Sequence, residues 1–171
     1  YEIMPSLVGS EMCIRDSFKQ ALYFFNHGRM LVAAQALGTA QGAFDRALRY
    51  AKEREQFGCK IVEFQAIQHK LADMAMKIET ARLLTYKAAW YIDQGKLNPL
   101  LTCMAKCYAS RVAVEVANEA LQIFGGYGYI AENEIEKFYR DAKITEIYEG
   151  TNEIQRNAIA GFLIRGQTLV P

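Results

Sequence analysis

Long apolar runs are missing from this chain. No stretch approaches the roughly 20 consecutive apolar residues that cross a bilayer as a helix, so no membrane span is expected. An excess of charge is missing too: 20 Lys and Arg against 19 Asp and Glu leave a net +1. Without a basic stripe, neither nucleic acid nor another polyanion is an expected partner. The four cysteines (Cys13, Cys59, Cys103 and Cys107) lack the framework of a secreted disulfide scaffold. Reduced thiols suit a bacterial cytoplasm or a mitochondrial matrix. Cys103 and Cys107 lie one helical turn apart, but His27 and His69 are remote in sequence, so a metal site would lack two ligands. The alternation of β-branched and polar residues that marks strands is absent, as are internal repeats and low-complexity tracts.

What is present is helical. Apolar residues make up 51% of the 171 positions, enough for one sizeable core. Ala33, Leu37, Ala40, Phe44, Ala47 and Ala51 recur at steps of three and four and form one face. Ile67, Leu71, Met74, Ile78 and Ala81 repeat the pattern, and so do Ala109, Ala113, Val116, Ala120 and Ile123. A weaker segment runs from Thr151 towards Ile164. Breaks fall at Phe57-Gly58, from Gly95 to Pro99, and from Gly125 to Gly128. The expected fold is all-α, an antiparallel four-helix bundle with long helices and small residues where helices approach closely. Residues 1–17 carry no helical periodicity and no targeting pattern. They read as a non-native or disordered head, with the bundle domain covering residues 18–171.

The candidate chemistry centres on Ile147-Tyr148-Glu149-Gly150-Thr151. A glutamate between an apolar run and a Gly-Thr turn can lose water, which raises a carboxyl pKa and makes a general base. The plainer alternative is a solvated glutamate before a helix capped by Thr151. Arg54 and Gln56 precede Phe57-Gly58 and read as a helix end, where an arginine also offsets the helix dipole. Gly125 and Gly126 after Gln122 would expose backbone N–H groups to a ligand, although a simple helix stop needs only one glycine. Arg140-Asp141 reads as a local ion pair.

The ordered set Tyr50-Ala51, Arg54 to Gly58, Phe64 to Gln68, Leu121 to Tyr129, Tyr139-Arg140-Asp141 and Tyr148 to Arg156 resembles the C-terminal helical domain of the acyl-CoA dehydrogenase family. The match runs from about Phe18 to about Ile164. Each motif alone is weak; their order and spacing make the resemblance specific.

The resemblance implies a fragment of a flavin-dependent enzyme that desaturates an acyl-CoA thioester at its α and β carbons. Glu149 would be the α-proton base. Arg29 would lie by the substrate thioester and hold Glu149 ionised. Arg54, Gln56, Phe57, Gln65, Gln122, Gly125 and Gly126 would face a flavin adenine dinucleotide (FAD) held mainly by a neighbouring subunit, with Arg54 on the pyrophosphate. Thr151 and Glu153 would serve the same cofactor from a helix N-terminus. Some family members carry the base one position before the arginine, where this chain has Gly28, which leaves Glu149. The resemblance also implies an electron-transferring flavoprotein as acceptor and a homodimer or homotetramer. The rival readings are a related acyl-CoA oxidase-type flavoprotein and a non-catalytic helical assembly module.

Overall fold

The computed structural model describes residues 11–167. Five α-helices carry nearly all of that length: α1 (Glu11–Glu53), α2 (Gln65–Asp93), α3 (Pro99–Phe124), α4 (Ile135–Ile144) and α5 (Asn152–Ile164). The first ten residues of the head lie outside the described residues. From Glu11 the backbone of the head is helical and continuous with α1. Extending a formed helix costs little, because each added residue brings its own hydrogen bond.

Side-chain pairs fix the helix directions. Arg29 meets Cys103, and Tyr50 stacks on Phe124, so α1 and α3 run the same way. Lys70 pairs with Glu119 and Lys77 with Glu115, so α2 runs against α3. Arg46 pairs with Glu134, and Tyr148 beyond α4 meets Gln35, so α4 descends along α1. The bundle is therefore mostly antiparallel, as expected, but its fourth position is shared by two short helices. Sequence reading missed α4, although Ile135, Phe138 and Ala142 stand at helical spacing; only Ile135 and Ala142 of its ten residues are buried.

The seam between α1 and α3 is built of small residues. Ala33, Ala36, Ala40, Ala43 and Ala47 on α1 and Ala105, Ala109, Ala113 and Ala117 on α3 are all buried. Short side chains let the axes approach towards the lower end of the ~8–10 Å range for packed helices. α4 docks on α1 through a missing side chain. A Cβ on Gly42 would lie 2.8 Å from the Phe138 ring, and the Arg46 guanidinium covers that ring at 4.6 Å.

The breaks fall where the glycines placed them. Asn98 caps α3 by accepting from the Leu101 N–H, with Pro99 as the first helical residue. The Phe57-Gly58 break turns out to be a β-hairpin tip, β1 (Glu55–Gln56) pairing antiparallel with β2 (Cys59–Lys60). Both tip residues have positive φ, 55° and 83°, as a two-residue hairpin turn requires. Two pairs are too short to leave an alternating pattern in the sequence. Gln56 therefore belongs to a strand rather than a helix end.

Candidate functional site

Glu149 sits in the turn between α4 and α5. Its backbone is left-handed, with φ of 53°, and Gly150 follows at 89°. A non-glycine residue rarely adopts that region, and consecutive left-handed residues persist only where the surroundings hold them. The half-buried side chain reaches α1 at Gly28. A Cβ built on Gly28 would stand 2.8 Å from Glu149 Oε2 and 3.0 Å from its Cδ. The absent side chain of Gly28 is thus the space that the carboxyl group fills. Oε2 is buried, and among the described residues no donor bonds it.

Three polar side chains fasten the turn. Lys106 of α3, wholly buried, donates to the Gly150 carbonyl at 2.8 Å and to Asn152 Oδ1 at 3.1 Å. Gln155 of α5 donates Nε2 to the carbonyls of Glu149 and Gly150, at 3.0 and 3.1 Å. Asn152 Nδ2 donates to Ser110 Oγ at 2.9 Å, and the Asn152 N–H to the Glu146 carbonyl at 2.9 Å. Thr151 caps α5 by accepting from the Ile154 N–H. Glu153 is exposed and pairs with Arg156. Its carboxyl is held below the usual range chiefly by the backbone N–H at its own position, with the Thr151 hydroxyl adding to this.

Arg29 is not the partner of Glu149. Its Nη1 donates to Asn26 Oδ1 at 2.9 Å and to Cys103 Sγ at 3.5 Å, and among the described residues no ion pair joins it to Glu149. Adjacent helical residues point about 100° apart: Gly28 faces the carboxyl, and Arg29 reaches α3. Burial pushes the Cys103 thiol above its ordinary range, with the Arg29 charge opposing. A mainly apolar groove of about 460 Å³ opens beside Arg29, between Tyr23, Pro99 and Phe162.

The remaining candidates stand at the other end of the bundle. About 25 residues of α1 separate Gly28 from Glu53, roughly 38 Å at a helical rise of 1.5 Å per residue. Here Arg54 lies over the Tyr127 ring at 5.0 Å, joining the hairpin to the glycine loop. Phe57 at the hairpin tip is 93% exposed. Gln56, Gln65, Gln122, Gly125 and Gly126 are exposed as well. A Cβ on Gly125 or Gly126 would meet nothing within 4 Å. Gly125 has φ of 59° and closes α3, its N–H donating to the Gln122 and Leu121 carbonyls.

Residues 16–164 match the family model "Acyl-CoA dehydrogenase, C-terminal domain". The chain belongs to the acyl-CoA dehydrogenase family. It is 51% identical over 149 residues to the "Probable acyl-CoA dehydrogenase FadE25" of Mycobacterium tuberculosis, covering 86% of this chain and 38% of that protein. To the mitochondrial short-chain specific acyl-CoA dehydrogenase of Rattus norvegicus it is 50% identical over 148 residues, covering 86% and 36%. Its fold matches butyryl-CoA dehydrogenase from Megasphaera elsdenii with a TM-score of 0.86 at 51% identity, covering 86% of this chain and 39% of the other. The chain therefore spans somewhat over a third of the length of these relatives.

Within this acyl-CoA dehydrogenase domain, the structure brings Glu149, Arg29, Thr151 and Glu153 to one end and gathers the other seven candidates at the opposite end. Sequence reading missed Lys106, Gln155 and the space above Gly28. Lys106 left a signal: it stands at helical spacing among Thr102, Ala109 and Ala113, a charge on a buried face. The Arg140-Asp141 pair is corrected. Asp141 pairs with Lys137, one turn back on α4, because adjacent helical residues point apart while residues four apart align.

Proposed function

We propose that this chain is the base-bearing domain of a flavin-dependent acyl-CoA dehydrogenase, with Glu149 removing the α-proton of an acyl-CoA thioester. One observation carries the reading. The Glu149 carboxyl is fixed against the bare backbone of Gly28, with a buried oxygen that no donor satisfies. An unsatisfied buried carboxylate oxygen is costly as structure and useful as a proton acceptor. The positive-φ turn aims it, and the clamp from α3 and α5 keeps it aimed. The groove beside Arg29 would take part of the substrate, with the guanidinium near the thioester.

The residues fit a flavin in two portions. Thr151 and Glu153 stand at the Glu149 end. Arg54, Gln56, Phe57, Gln65, Gln122, Gly125 and Gly126 stand about 38 Å along α1. One chain cannot place both sets on a single cofactor beside Glu149, so the distant set would serve the flavin of a second copy. A homodimer or homotetramer would supply that second copy. Arg54 would hold pyrophosphate with its planar guanidinium, and the open glycine backbone would admit the nucleotide half. When bound, FAD supplies the acceptor for the β-hydrogen as hydride. An electron-transferring flavoprotein would then take the electrons, in a bacterial cytoplasm or a mitochondrial matrix. Among the described residues no helix is long and apolar enough to cross a membrane.

The test is Glu149→Gln in the full-length enzyme. Turnover should fall by about 1,000-fold or more, within the usual range for loss of a general base, while flavin stays bound. Turnover at the wild-type rate would overturn the assignment.

A further inference from the structure

We propose that Lys106 is a positioning residue for catalysis: its ammonium group pins the Gly150 carbonyl to α3 and so holds Glu149 against Gly28. The inference rests on the reading of Glu149 as the base.

Lys106 is wholly buried, and among the described residues no carboxylate pairs with it. A buried cation whose acceptors are a carbonyl and an amide oxygen loses more hydration than two such bonds return. Burial accordingly pushes Lys106 below the ordinary lysine range, against the opposing influence of Cys107, Glu146 and Glu153.

The fold does not need those bonds for polar satisfaction. The Gly150 carbonyl also accepts from Gln155 Nε2 at 3.1 Å, and Asn152 Oδ1 also accepts from Ser110 Oγ at 3.1 Å. Removing the ammonium would orphan neither acceptor. What it would remove is a tie between elements. Gln155 and Asn152 follow the turn closely in sequence and travel with it. Ser110 and Cys107 of α3 reach only Asn152. On the near side the Tyr148 hydroxyl meets Gln35 of α1. Among the described residues Lys106 alone bonds the Gly150 carbonyl to α3, and α3 packs through the alanine seam on α1, the helix that carries Gly28. A left-handed glutamate followed by a left-handed glycine has alternative backbone states close in energy. The ammonium selects the state that directs Glu149 to Gly28.

The experiment uses the full-length holoenzyme with butyryl-CoA as probe. Three variants are compared: Lys106→Met, of similar length without a donor, Lys106→Gln, shorter with a neutral donor, and Glu149→Gln. Flavin reduction is followed in single turnover with α-deuterated and ordinary substrate, alongside flavin content and Tm. In Lys106→Met the expected result is intact flavin content, an unchanged or raised Tm, a Kd for butyryl-CoA within about 3-fold of wild type, and reduction slowed by about 100-fold, the scale of a 1 Å misplacement. The α-deuterium isotope effect should rise as proton transfer becomes limiting, a change that loosened packing alone would not produce. A crystal structure should show Glu149 leaving the left-handed region. Wild-type reduction by folded Lys106→Met overturns the proposal. If Lys106→Met does not assemble, Lys106→Gln is read by the same two outcomes. Reduction surviving in Glu149→Gln would overturn the base assignment itself, separately from the role of Lys106.

Discussion

The two ends of this domain hold their functional side chains in opposite ways. Around Glu149 the supporting polar groups of α3 and α5 are buried and mutually bonded, and Glu149 Oε2 is left without a partner among the described residues. Around Arg54 the groups are exposed, and the hairpin tip and glycine loop face open space. The difference matches what each end would do under the proposed function. A base must be placed to a fraction of an ångström before substrate arrives, so its supports lie inside the chain. A surface completed by a cofactor and a second copy can leave its partners unmet until assembly.

Breaking the contrast at its strongest point means removing the base. Glu149→Gln should lower turnover by about 1,000-fold or more with flavin content unchanged, measured by steady-state kinetics and flavin absorbance. Next in size is Gly28→Ala. The new Cβ would stand 2.8 Å from Glu149 Oε2, so the carboxyl must swing aside. We expect flavin reduction to slow by about 10- to 100-fold, while the helix gains stability of up to about 1 kcal/mol from the lost glycine; stopped-flow and thermal melts separate the two. At the open end, Arg54→Ala should weaken flavin binding by about 10-fold, the scale of one charged hydrogen bond. It should leave the reduction rate of the remaining holoenzyme unchanged, as titration with FAD would show. Smallest is Lys137→Ala on α4, which removes the exposed pair with Asp141. A Tm indistinguishable from that of the wild type is expected, because an exposed ion pair contributes little, with activity unaltered.

Much of the scaffold was legible in the chain. Periodic alanines marked the α1–α3 seam, and Ala33, Ala40, Ala109 and Ala113 are all buried. The breaks from Gly95 to Pro99 and at Gly125 fell at real helix ends, and Thr151 caps α5. These features are legible because they depend on residues within a turn or two of one another. α4 went unread although Ile135, Phe138 and Ala142 stand at helical spacing; what the sequence could not show is that Phe138 meets Gly42, nearly a hundred residues away. Arg29 was expected to orient Glu149, yet its guanidinium turns to Asn26 and Cys103. Neighbouring helical residues point about 100° apart, so one that touches the carboxyl directs the next elsewhere.

By itself the sequence determined the all-α class, the helix ends near Pro99, Gly125 and Thr151, and the identity of the glutamate that sits before the Gly-Thr turn, since propensity, capping and periodicity are local. Only the tertiary structure decided that Gly28 makes room for that glutamate, that Lys106 reaches into the turn behind it, and that the hairpin and glycine loop stand far from both. Those relations join residues distant in the chain, and they exist only once the alanine faces pack and set the helices side by side.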